Sequence, residues 1–245
     1  MKISPHVDKL VFQKWEKVLD PEVYANREDI LRYIYQIAFH EAGHAVAKMF
    51  TGHEAAHILS VSIIPNAHNH GRLSSERNFS EANFGRDPEQ RREEGTGRNL
   101  LFIFLAGRVA AFRAVKGIHR ELILDWLGDE WYVEGSDLFR VNRISTLMIR
   151  KYMPQHRILQ LAEKWTFEMF EIPQVWKTTN KVANALLQKG KLGYSQIDEL
   201  CCEISNMAFS LPVWKNRLIG GARSRKWLKE EEKKAWKLYE SGDLG

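Results

Sequence analysis

Two histidines four residues apart, His40 and His44, lie in a run whose apolar residues recur at helical spacing. No other feature limits the possible folds of this chain as strongly. Ile30, Ile34, Ile37, Ala38 and Val46 are the apolar positions of the run, Asn26 followed by Asp29 marks its start, and Gly52 its end. Residues four apart on a helix project from one face, one turn above each other. The fold must therefore bury one long helix and present both imidazoles on the same face. Gly43, between them, costs about 1 kcal/mol relative to Ala inside a helix. Close approach of a second element to this face would account for it.

The rest of the chain reads as mainly α with a small β-sheet. Val7, Leu10, Val11, Trp15 and Val18 predict a short amphipathic opening helix. His57 to Ile64 is rich in β-branched residues and stops at Pro65, as a strand does, and Gly71 to Ser74 predicts a second short strand. Ser75 to Gly97 is charged and reads as an exposed loop. Leu100 to Val115 is apolar on most faces, which predicts a buried helix. Leu138, Val141, Ile144, Ser145, Met148 and Tyr152 form a helical stripe ended by Pro154. A helix pair over Ile158–Phe170 and Val175–Leu187 is divided by Pro173, and Ser195 with Asp198 opens a last helix through Met207.

Composition narrows the class. At 245 residues, with 44% hydrophobic and 27% charged, the chain can bury a core without crosslinks. Its two cysteines, Cys201 and Cys202, are adjacent and build no disulfide framework, so a reducing, cytoplasmic setting is expected. The first fifteen residues lack the apolar stretch of a signal peptide, and the most apolar run, Leu100 to Gly107, is too short to span a bilayer. Of the net charge of +5, most comes from Val213 to Gly245, where nine Lys/Arg face five Asp/Glu. Lys215, Arg217, Arg223, Arg225 and Lys226, with Trp214 and Trp227, raise the question of nucleic acid. Glu230, Glu231 and Glu232 argue against it and for a solvated basic helical tail.

His40-Glu41-Ala42-Gly43-His44 is an H-E-x-x-H motif in its required helical setting. Two imidazoles on one helix face can converge on one Zn²⁺, and the adjacent Glu41 can serve as general base toward a water without being a ligand. The alternative is two surface histidines flanking a solvated glutamate. A catalytic site needs a third protein ligand. The metzincin extension is excluded, because Ala47 and Phe50 stand where its glycine and histidine would be. Spacing alone does not choose among Glu76, Glu81, Glu121, Asp125 and Asp137, and His53, His57, His68 and His70 are chemically eligible.

On these residues the chain resembles the peptidase domain of FtsH-type membrane proteases. His40 to His44 matches that family's zinc motif at all five positions, and Val61-Ser62-Ile63-Ile64-Pro65 looks like its following strand. Leu105-Ala106-Gly107-Arg108 is similar to its small-residue helix, and Ala183 to Leu200 to its closing helices. Gly135-Ser136-Asp137-Leu138 looks like the turn that carries its third zinc ligand. The resemblance implies a zincin-like helical metallopeptidase domain over residues 1–204, its core at 36–200, with a C-terminal helical part at 205–245. It further implies Zn²⁺ on His40, His44 and Asp137, with Glu41 catalytic, and a polypeptide substrate.

The departures matter as well. Val109-Ala110-Ala111-Phe112 stands where the family usually has a glutamate, and Ser136 where it usually has Asn. The segment between Arg108 and Asp137 is longer than expected and holds Trp126 and Trp131, which suit core or lid packing better than a pocket. Family members join this domain to membrane helices and an ATPase, but no G-x-x-x-x-G-K-[S/T] loop occurs here. The expectation is a peptidase that acts on unfolded or flexible polypeptides, with any unfoldase a separate chain. The alternative is a catalytically idle zinc-binding module that binds unfolded segments or regulates a protease partner. The family's ring assembly depends in part on its ATPase, so a homo-oligomer is left open.

Overall fold

The computed structural model describes residues 7–24, 26–51, 58–65, 72–75, 90–116, 136–148 and 155–210. Its elements are α1 (Lys9–Glu16), α2 (Arg27–Thr51), β1 (Ile58–Ser62), β2 (Arg72–Ser75), α3 (Gln90–Lys116), α4 (Asp137–Met148), α5 (Gln155–Glu171), α6 (Pro173–Lys189), β3 (Lys191–Gly193) and α7 (Tyr194–Ser210). The architecture is mainly helical with one small sheet, and among the described residues no helix is long and apolar enough to cross a membrane.

At 25 residues α2 is about 37 Å long, and it is the axis on which α1, α3, α6 and α7 pack. Its start is capped as expected. The Asn26 side chain accepts the Asp29 backbone N–H at 3.0 Å and donates to the Asp29 carboxylate at 2.6 Å. Ile30, Ile34, Ala38 and Val46 are buried, and the helix ends at Thr51. Its apolar positions join Trp15, Phe50, Phe102, Phe170, Val182 and Leu186 in the main core.

The sheet has the antiparallel order β2-β1-β3, with Val61 opposite Leu73 on one side and Leu192 on the other. A bulge interrupts the β1–β2 register between Ile58 and Ser60. Gly190, at φ +72°, closes α6 in the left-handed conformation that glycine adopts at little cost, and the chain turns straight into β3. The Gly190 carbonyl accepts the Ile63 N–H at 2.8 Å, and the Trp15 indole donates to the Ile63 carbonyl at 2.9 Å. The strand after the histidine helix is thus tied to both α1 and α6.

A second, smaller core of Leu101, Leu105, Val141, Ile144, Leu159 and Ala162 joins α3, α4 and α5. It fixes α4 against α3, and so determines where the first residue of α4 lies.

Several expectations need correction. Leu10 and Val18, assigned to the apolar stripe of α1, are 67% and 52% exposed, and Phe12 is buried in their place. The loop expected over Ser75–Gly97 fails at both ends, because Ser75 belongs to β2 and α3 begins at Gln90, while residues 76–89 lie outside the described residues. The charged Gln90–Glu94 stretch lacks apolar periodicity but is made of good helix formers. The last helix starts at Tyr194, not after Ser195. Gln196, rather than Asp198, reaches back to accept the Gly193 N–H at 3.0 Å. It also continues through Ser210, past the expected end at Met207. Pro173 does not merely divide two helices but is the first residue of α6, where its missing N–H costs nothing. Strand β3 was not expected. Gly52, Tyr152, Pro154, Trp126, Trp131 and the basic tail from Val213 lie outside the described residues.

Candidate metal centre

His40 and His44 project from consecutive turns of α2, their rings 4.6 Å apart and nearly perpendicular at 83°. Asp137, the first residue of α4, meets both from across the molecule. Its Oδ2 lies 3.0 Å from His40 Nε2 and 2.9 Å from His44 Nε2, and the two Nε2 atoms are 2.9 Å apart. Three atoms of metal-ligating type thus converge, one from each residue. Ligands at ~2.0–2.1 Å around a tetrahedral zinc stand roughly 3.3 Å from each other. The observed triangle would need to open by only a few tenths of an ångström.

Two local features free these groups for that arrangement. Ser136 takes the helix cap, with its Oγ accepting the Phe139 N–H at 3.1 Å and its carbonyl accepting the Arg140 N–H at 3.2 Å. The carboxylate of Asp137 is therefore not used as a cap and points to the histidines, at a helix N-terminus that favours negative charge. His44 Nδ1 lies 2.7 Å from the carbonyl of Ile103. That carbonyl can only accept, so Nδ1 carries a proton and Nε2 is the nitrogen that would bind a metal.

The electrostatics follow from the burial. His44 is 8% exposed, while the His40 and Asp137 side chains are 28% and 26% exposed. The cluster is therefore more accessible at His40 and Asp137 than at His44. Burial works against a charged His44, but the neighbouring Asp137 carboxylate outweighs it, with help from Glu41, and raises the imidazole to about 9. Burial also opposes the Asp137 anion, yet His44 and His40 hold its carboxyl far below the usual carboxylate range. The pocket thus draws positive charge to the point where the three groups meet, a demand that a divalent cation would satisfy. Glu41 is buried on the same turn of α2, and burial raises its pKa despite both histidines.

No family model and no curated protein matches the chain. The site therefore rests on its own geometry. Of the residues eligible as third ligand, Asp137 is brought to the histidines. Glu76, Glu81, Glu121, Asp125, His53, His57, His68 and His70 lie outside the described residues.

Sequence reasoning missed the Ile103 carbonyl, since a backbone acceptor leaves no mark on residue type. The expected close approach at Gly43 is present. A methyl group there would lie 2.7 Å from the Ala110 Cβ and 2.9 Å from the Ala106 carbonyl carbon, so α3 rests directly on α2 at the motif.

Proposed function

We propose that the chain is a zinc metalloendopeptidase of the kind the FtsH-type resemblance implies, acting on unfolded or flexible polypeptide without an ATPase of its own. The observation that carries this reading is the meeting of His40, His44 and Asp137 within 3.0 Å, with the Glu41 carboxyl buried on the same helical turn. The mainly helical fold with its small sheet is consistent with the zincin-like architecture proposed for it.

His40 Nε2, His44 Nε2 and Asp137 Oδ2 would hold the ion, and the Ile103 carbonyl would keep His44 in the ligating tautomer. Bound zinc supplies Lewis acidity toward a peptide carbonyl and makes water a better nucleophile near neutral pH. Glu41 accepts the proton of the attacking water on its carboxylate and then delivers it to the leaving amine. Its burial raises its proton affinity, which suits a group that must both take and return a proton.

The test is cleavage of a permanently unfolded protein by zinc-loaded wild type and Glu41→Gln. Wild type should cut it, and the variant should lose at least 100-fold in rate, the lower end of what a general base contributes, while still binding zinc. Zinc bound by both, with cleavage by neither, would replace this proposal with the idle zinc-binding module.

A further inference from the structure

Gly107 lies on α3 one turn beyond Ile103, facing the His44 ring. A methyl group built on it would lie 2.6 Å from His44 Cε1 and 2.8 Å from Cδ2, and closer still to Nε2. These short, similar distances to both flanking carbons place it over the face of the ring at its ligating end, not along the Nε2 lone pair. All three of the nearest atoms belong to His44. On the same helix, the Ile103 carbonyl meets Nδ1 at the other end of the ring. One turn of α3 therefore contacts His44 at both nitrogens, by a hydrogen bond at one and by the absence of a side chain at the other.

We propose that Gly107 is a positioning residue for the metal centre: with no side chain of its own, it lets α3 seat the His44 ring so that Nε2 meets His40 and Asp137. Any larger residue must push Nε2 away from that meeting point or push α3 away, and the second movement withdraws the Ile103 carbonyl as well. Retreat of α3 would also open its close packing on the α2 backbone at Gly43. The inference rests on the reading of His40, His44 and Asp137 as metal ligands.

The experiment is a double-mutant cycle of Gly107→Ala with His44→Ala on the full chain, read by zinc affinity and by urea midpoint without metal. Gly107→Ala alone should weaken zinc about 10- to 100-fold, the range expected when the support of a metal ligand is disturbed. It should also lower the metal-free midpoint in the wild-type background but not beside His44→Ala, where the ring is gone. If Gly107→Ala does not fold, folding of the double variant supports the proposal and failure of both overturns it. An equal loss of midpoint in the two backgrounds also overturns it, since the glycine would then serve helix packing alone. Wild type that binds zinc alongside a Gly107→Ala variant of unchanged affinity refutes the positioning role and leaves the metal site standing. Wild type that binds no zinc refutes the metal reading, while the midpoint cycle still measures the contact.

Discussion

Glu163 shows how a single side chain can set the pH response of this fold. It is buried on α5, its Oε1 meets no hydrogen-bond partner among the described residues, and burial pushes its carboxyl from the ordinary 4.5 up to about 7. Between those two values the unfolded chain holds fewer protons at this position than the folded one. Stability from this group is therefore fully present below pH 4.5 and is lost as pH rises through 7. Glu163→Gln removes the penalty. Discounted for screening by nearby solvent, it should make the protein about 1–2 kcal/mol more stable at pH 8 and no more stable at pH 4. Urea titrations at the two pH values check this, and an equal difference at both would show that the carboxyl ionises freely in the fold. Nothing in the sequence marked Glu163, since a glutamate in a helical pattern ordinarily faces water. His40, Glu41 and His44 were legible because their chemistry depends on local spacing. Asp137 was not, because 97 residues separate it from His40 and several carboxylates were equally eligible until the resemblance singled it out.

Elements were legible where periodicity is long and apolar, as in α2, α5 and α6. They were lost where the signal is short or polar. Strand β3 has three residues, Lys-Leu-Gly, and owes its existence to pairing with β1 and to the turn at Gly190. The head of α3 is charged and carries no apolar stripe. Leu10 fits the helical period but points outward, because α1 offers only its Val11–Phe12–Trp15 side to α2 and α6, and Val18 lies beyond the end of the helix at Glu16. At this scale α4 is the element that completes the site, and it is held between α3 and α5. Val141 and Ile144 are buried in the small core against Leu101 and Leu105, and the Arg140 guanidinium lies 5.3 Å above the Phe104 ring. Ile144→Ala should cost about 2–4 kcal/mol through the cavity it leaves. Because it loosens the helix that starts with Asp137, it should also weaken zinc. Ile34→Ala, in the main core at 0% exposure, should cost as much stability with less effect on the metal. Measuring denaturation and zinc competition on both variants separates the two effects. Equal effects on zinc would mean that α4 is not held by this cluster.

Over the whole molecule, the proposed ion would join α2 directly to α4, two helices otherwise linked through α3 and α5. Zinc that binds the folded triad and not the open chain adds about 4 kcal/mol at a free concentration a thousand times its Kd. Stripping it with a chelator should lower Tm by roughly 8–16 °C in a protein of this size. An unchanged Tm, with zinc shown to be removed, would mean that the ion does not bridge α2 and α4. The separation of the ligands also has a consequence in time. During synthesis, at about 5–20 residues per second, His40 leaves the ribosome roughly 5–20 seconds before Asp137, which would complete the proposed centre. A nascent or prematurely terminated chain that stops short of Asp137 carries the whole motif but lacks the third residue of the proposed centre.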